Sequence, residues 1–163
     1  MDATRKSREE FMNEFIERSG DISDLIKLSF NQNLEYNYKA AWILELIARN
    51  NLPIFLKHLK IFFNHLGEPT PGKQIRPIAK ILEILSDNYL SSNCIDHKNS
   101  EQIISYSFQL LLGNYEVAPK VFAMTTVFNF SKEIPWARGE LKAILERDYP
   151  SQSAGYRARA KKI

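Results

Sequence analysis

Apolar residues recur along this chain at intervals of three and four, the period of a helix face, almost from end to end. No stretch alternates strictly between apolar and polar, and no Asn-Gly or Asp-Gly pair offers a hairpin turn. The pattern predicts an all-α chain. Ser7 and Glu10 form a capping-box pair ahead of a stripe of Phe11, Phe15 and Ile16. Asp21 is placed to cap a second helix through about Phe30, with Ile22, Leu25, Ile26 and Phe30 turned inward. A third helix is expected from about Glu35 to Arg49, carrying Ala40, Ile43, Leu44 and Ile47 on one face. Asn50 and Asn51 end it. Pro53 opens a fourth through Leu66, where Phe55, Leu59, Phe62, Phe63 and Leu66 repeat at helical spacing and Gly67 stops the run.

Pro69, Pro71 and Gly72 mark a loop. A fifth helix, about Lys73 to Leu90, places Ile78, Ile81, Leu82 and Leu85 together. Ser91 to Ser100 reads as the longest polar loop. A sixth helix spans about Glu101 to Leu112 and stops at Gly113. A seventh has Pro119 near its first position and continues to about Phe130. Pro135 opens an eighth through Arg147, Pro150 ends it, and Ser151 or Ser153 caps a basic terminal helix. The expectation is roughly eight or nine helices joined by mostly short loops, with neighbours antiparallel.

Three of these helices resemble one another. They are Lys39-Ala-Ala-Trp-Ile-Leu-Glu-Leu-Ile-Ala48, Pro77-Ile-Ala-Lys-Ile-Leu-Glu-Ile-Leu-Ser86 and Lys120-Val-Phe-Ala-Met-Thr-Thr-Val-Phe-Asn129. Aligning Ala41 with Ala79 gives a spacing of 38, and Ala79 with Ala123 gives 44. The first pair also matches Ile43 with Ile81, Leu44 with Leu82 and Glu45 with Glu83. A small alanine in this register lets a neighbouring helix approach closely. A period of about 40 residues with two helices per unit falls in the HEAT/armadillo range, whereas the tetratricopeptide signature is absent.

The chain resembles a family of short bacterial HEAT-like helical-repeat proteins. The resemblance rests on Tyr-Lys-Ala-Ala-Trp-Ile-Leu-Glu-Leu at 38–46, Arg-Pro-Ile-Ala-Lys-Ile at 76–81, Glu-Leu-Lys-Ala-Ile-Leu-Glu at 140–146 and Tyr-Pro-Ser-Gln-Ser-Ala-Gly-Tyr-Arg-Ala-Arg-Ala at 149–160. It implies a single HEAT-like antiparallel stack over residues 1–163, with 151–163 as a basic terminal helix or tail, and it brings no catalytic residues. Some members carry the name adenylosuccinate lyase, which this sequence does not support. The lyase signature needs a Met-Pro pair where Cys94 and Ile95 stand, and a proline where Ser100 stands.

Charge adds one local feature. Net charge is +3, yet residues 151–163 carry Arg157, Arg159, Lys161 and Lys162 and no acid. The other 150 residues hold 18 basic and 19 acidic side chains. A body near neutrality argues against bulk non-specific binding of nucleic acid, and the basic tail is a candidate contact. A composition of 44% hydrophobic residues excludes disorder, and a single cysteine excludes a disulfide framework. No apolar run approaches the roughly 20 residues of a membrane span, and no secretory leader is visible, so the expectation is a cytoplasmic protein without membrane contact.

Candidate chemistry is sparse. His58 and His65 lie seven residues apart, about 10 Å along a helix, too far to share one metal ion. Cys94 and His97 have half the spacing of a zinc site, with no second pair. No nucleophile elbow and no glycine-rich phosphate loop occurs. The expectation is therefore no enzyme, no catalytic residue, no metal and no cofactor. The more suggestive residues are basic and aromatic. Lys73, Arg76 and Lys80 form a stripe, and in the repeat register Tyr38, Arg76 and Lys120 align, as do Trp42 and Lys80. If the three helices line a concave face, Tyr38, Trp42, Arg76, Lys80 and Lys120 share one groove. The leading expectation is an interaction module taking a protein partner on that face. The alternative is a nucleic-acid binder that uses the row and the tail. Apolar ends of so short an array also suit a homodimer.

Overall fold

The structure, a computed structural model, describes residues 4–69, 71–92 and 95–163, and their side chains except at 89–92. Among the described residues it is all-helical: α1 (Arg5–Glu17), α2 (Ile22–Phe30), α3 (Asn37–Asn50), α4 (Leu52–Leu56), α5 (Leu59–His65), α6 (Ile75–Ser92), α7 (His97–Leu112), α8 (Val117–Phe130), α9 (Pro135–Asp148), a 3-10 turn (Tyr149–Ser151) and α10 (Ala154–Ala160).

Local rules explain most boundaries. The Asp21 carboxylate accepts the Ser23 N–H at 2.7 Å and starts α2. That bond holds the Asp21 carboxyl below its usual range. Ser153, not Ser151, caps α10 by accepting the Tyr156 N–H. The start of α1 differs from expectation. Thr4 is the cap, its hydroxyl accepting the Ser7 N–H at 3.3 Å, and Ser7 lies within the first turn. The buried residue of α1 is Met12, while Phe11 is exposed. Met12 faces α3, where the Asn50 amide lies 3.9 Å from its sulfur.

The expected fourth helix is two helices. Lys57 and His58 interrupt it, the His58 N–H closing on the Phe55 carbonyl at 2.9 Å. The His58 ring meets the Ser23 hydroxyl of α2 at 3.1 Å. The polar stretch at 91–100 is mostly helical at its flanks. α6 runs on to Ser92, and Asp96 caps α7 by accepting the Asn99 N–H at 2.8 Å, earlier than the expected start at Glu101. Asn93 and Cys94 lie outside the described residues.

The C-terminus of α1 is a Schellman motif. The Gly20 N–H bonds the Phe15 carbonyl at 2.8 Å and the Ser19 N–H bonds that of Ile16 at 3.0 Å. Ser19 takes the left-handed conformation there, with φ 54°. A glycine adopts that conformation without the Cβ penalty. Ser19→Gly is expected to raise unfolding free energy by about 0.5 kcal/mol, read as a shift of the urea midpoint at unchanged slope.

Two compact units divide the chain, and the boundary falls inside α6. The first comprises residues 1–67 and 72–81. In it α1, α2 and α4 pack on α3, and α5 packs on α2. Phe62 centres its core, meeting Phe30, Phe55 and Phe63 edge-to-face at 5.6, 5.3 and 5.7 Å. Ile26, Leu44, Ile47 and Leu66 are fully buried in the same unit. Full burial of each such side chain contributes about 1.5–3 kcal/mol. Ala41 and Ala79 are buried too. Ala41→Leu is expected to cost about 1–3 kcal/mol by overpacking. Unchanged thermal melting in that variant would mean α3 has room that the burial of Ala41 denies.

The second unit comprises residues 68–71 and 82–163. Here α8 is central, packed by α7, α9 and α10. Ile103, Leu110, Met124, Val127, Phe130 and Tyr156 are fully buried. Side-chain hydrogen bonds bind α8 to α6: the Asn129 amide donates to the Ser86 hydroxyl at 3.1 Å and to Asp87 at 2.8 Å. The Tyr115 hydroxyl donates to the Pro69 carbonyl at 2.7 Å. Trp136 stacks on Phe108 of α7 at 5.8 Å and remains exposed.

A candidate binding surface of cations and aromatic rings

Positions i, i+4, i+7 and i+11 of a helix share one face. On α3 these are Tyr38, Trp42, Glu45 and Arg49. Tyr38 and Trp42 meet edge-to-face at 4.9 Å, and Tyr36, which precedes the helix, tilts against Tyr38 at 6.4 Å. Each ring carries a cation of the same unit. Arg8 of α1 lies over Trp42 at 5.1 Å, Lys39 over Tyr36 at 4.7 Å and Lys73 over Tyr38 at 5.0 Å. Such contacts contribute about 0.5–1 kcal/mol each at exposed sites. Tyr36 is 57% exposed, and Tyr38 and Trp42 are half-buried. Among the described residues, Arg8, Lys39 and Lys73 have no acidic partner within ion-pair distance.

One turn further along the same face, the polarity reverses. Glu45 is buried, with its side chain 5% exposed. One carboxylate oxygen accepts from Arg49, and the other lies 3.6 Å from the guanidinium of Arg76 on α6. Arg76 is therefore directed at Glu45. Lys80, one turn along α6, is half-buried.

The structure thus brings together Tyr38, Trp42 and Arg76 of the expected row in one unit, where Lys80 also lies. Lys120 sits half-buried on α8 and belongs to the second unit. Sequence reasoning missed Arg8, Tyr36 and Lys39. The Tyr36–Lys39 contact had a local signal in its three-residue spacing. Arg8 had none, because it reaches Trp42 only through tertiary packing.

The tail residues separate into two kinds. On α10, Arg157 is exposed, as are Lys161 and Lys162 just beyond the helix. These cations complement the negative end of the helix dipole. Arg159 points inward. Its guanidinium donates to the Thr125 hydroxyl at 2.8 Å and lies 3.5 Å from Glu83, whose side chain is 3% exposed.

His58 is held by Ser23, and His65 bonds the Ile61 carbonyl while stacking on Phe30 at 6.3 Å. His97 lies 3.8 Å from Glu101 on the surface of α7. Among the described residues no three His, Cys, Asp or Glu side chains group as a metal site, and no helix is long and apolar enough to cross a membrane.

No known protein family, characterised protein or solved structure matches the chain.

Proposed function

We propose that the chain is a non-catalytic, HEAT-like interaction module, and that the Tyr36–Tyr38–Trp42 surface takes an acidic segment of a protein partner. The observation that carries this reading is the set of three adjacent aromatic rings, each with a cation of the chain on it and, among the described residues, each cation without an acidic group at ion-pair distance. Tyr, Trp and Arg dominate binding hot spots, and the two aromatic types offer large, rigid contact area at low entropic cost. The guanidinium and ammonium groups add donors matched to carboxylates. The repeat interpretation draws support from the burial of Ala41, Ala79 and Ala123 at equivalent positions. It also draws on Glu45 and Glu83, both buried and both beside an arginine from another helix.

The test is fluorescence anisotropy of the full chain with a labelled peptide rich in Glu and Phe, a basic peptide of the same length, and single- and double-stranded DNA and RNA, each at low and high salt. The expected result is binding of the acidic peptide, weakened by roughly tenfold in Arg8→Glu with Lys73→Glu. Salt-steep binding of nucleic acid that the same double variant abolishes would replace this reading with the nucleic-acid one. No binding of any probe would overturn it.

A further inference from the structure

The second unit holds an open groove of about 610 Å³ beside α9. Its apolar lining comes from Phe128 of α8, Leu141 and Leu145 of α9, Tyr149 and Ile163. Leu141 and Leu145 stand four apart on α9, and Tyr149, four further on at the start of the 3-10 turn, continues their ridge. From Arg138 to Tyr149 the ridge is about 16 Å long. Phe128, Tyr149 and Ile163 are half-buried, so apolar surface is open to an occupant.

The rim is cationic. Arg138 and Lys142 stand on α9, and Lys161 ends α10 on the other wall. Glu146 is the acid of the lining and lies 3.8 Å from Lys142. Arg138 and Lys161 are exposed, and neither forms an ion pair among the described residues. The volume is that of a small-molecule site rather than a protein interface. An elongated apolar floor under two unneutralised cations fits a ligand with an extended hydrocarbon body and one anionic end.

We infer that this groove binds a single-chain anionic amphiphile of the medium-chain carboxylate class, its alkyl chain over the buried floor of Leu141 and Leu145 and against Phe128, Tyr149 and Ile163, and its carboxylate held by Arg138 and Lys161. The groove belongs to the second unit and the α3 surface to the first, and its ligand is independent of the partner proposed there.

The test uses the full chain and dodecanoate below its micellar concentration, by isothermal titration calorimetry. Dodecyltrimethylammonium serves as the cationic control, and phosphatidylglycerol vesicles represent a lipid surface. The expected result is saturable binding of dodecanoate, none of the ammonium, and a loss of roughly tenfold or more in the variant Arg138→Glu with Lys161→Glu. Both side chains are exposed, so that variant should keep its helical spectrum, with only a small fall in melting temperature from the acid placed at the C-terminus of α10. Ala160, at the end of α10, also lines the groove, so a second variant, Ala160→Trp, fills it without altering its charge and should also reduce dodecanoate binding. Equal affinity for the ammonium, dodecanoate binding unchanged in both variants, binding to vesicles alone, or no binding would each overturn the assignment.

Discussion

Tyr156→Ala is expected to lower unfolding free energy by about 3–5 kcal/mol, the range for truncating a large buried aromatic residue. Among the described residues Tyr156 is the largest fully buried side chain, and it sits on a helix of only seven residues. So short a helix has little stability of its own and depends on what it buries. The loss should appear first as melting of α10. Amide exchange at Arg157 to Ala160 should rise more than exchange in α7. Tyr156→Phe separates ring from hydroxyl. That hydroxyl is buried without a hydrogen-bond partner, so its removal should cost nothing and gain up to about 1 kcal/mol.

The same residue gives the chain an alkaline limit. Burial, reinforced by Asp148, pushes the Tyr156 phenol up to about 12. Burial also pushes the Tyr106 phenol up, further still. The folded state then holds protons that the unfolded state releases near the ordinary tyrosine value of about 10. Stability from these phenols is complete below about pH 10 and falls as pH rises above it. Tyr156→Phe should flatten part of that decline between about pH 10 and 12. An unchanged slope would mean that the Tyr156 hydroxyl reaches water.

The second large effect is expected at the Arg159–Glu83 pair. Removing Arg159 leaves a carboxylate with 3% of its side chain exposed and no counter-charge from α10. Breaking a buried pair costs about 3–5 kcal/mol. Arg159 itself is 35% exposed, so water screens part of the interaction, and a loss of about 2–3 kcal/mol is expected for Arg159→Met. Adding Glu83→Met should recover most of it, because an apolar pair of similar volume has no desolvation to offset. Urea unfolding of the four members of this cycle gives the coupling directly. Additive losses would mean that Arg159 acts through Thr125 alone.

These two residues also show what the sequence could and could not disclose. Asp21 as a helix cap and Tyr38 beside Trp42 were legible because the interaction closes within a helical turn. The all-α class followed from periodicity. The repeat register flagged Glu45 and Glu83 as equivalent, yet it said nothing of their burial or of Arg76 and Arg159 as partners. Arg8 over Trp42 and Lys73 over Tyr38 were hidden for the same reason, since each spans more than thirty residues of sequence. The break between α4 and α5 was masked by a stripe that keeps helical spacing through Leu59 while His58 turns to Ser23 of α2. Arg76 looked like part of a free basic row because Glu45, on another helix, could not be seen beneath it.

The two buried glutamates differ in when the arginine reaching each from another helix is made. On the ribosome, Arg76 follows Glu45 by 31 residues, whereas Arg159 follows Glu83 by 76. Loop closure grows costlier with separation, and long-range contacts slow folding. The first unit has its charge partner soon after α3 emerges and can consolidate during synthesis. In the second, the Arg159–Glu83 contact cannot form until α10 is translated. Chains stalled before residue 159 should therefore expose a protease-sensitive second unit behind a protected first one, and that interval is when a chaperone has the most to hold.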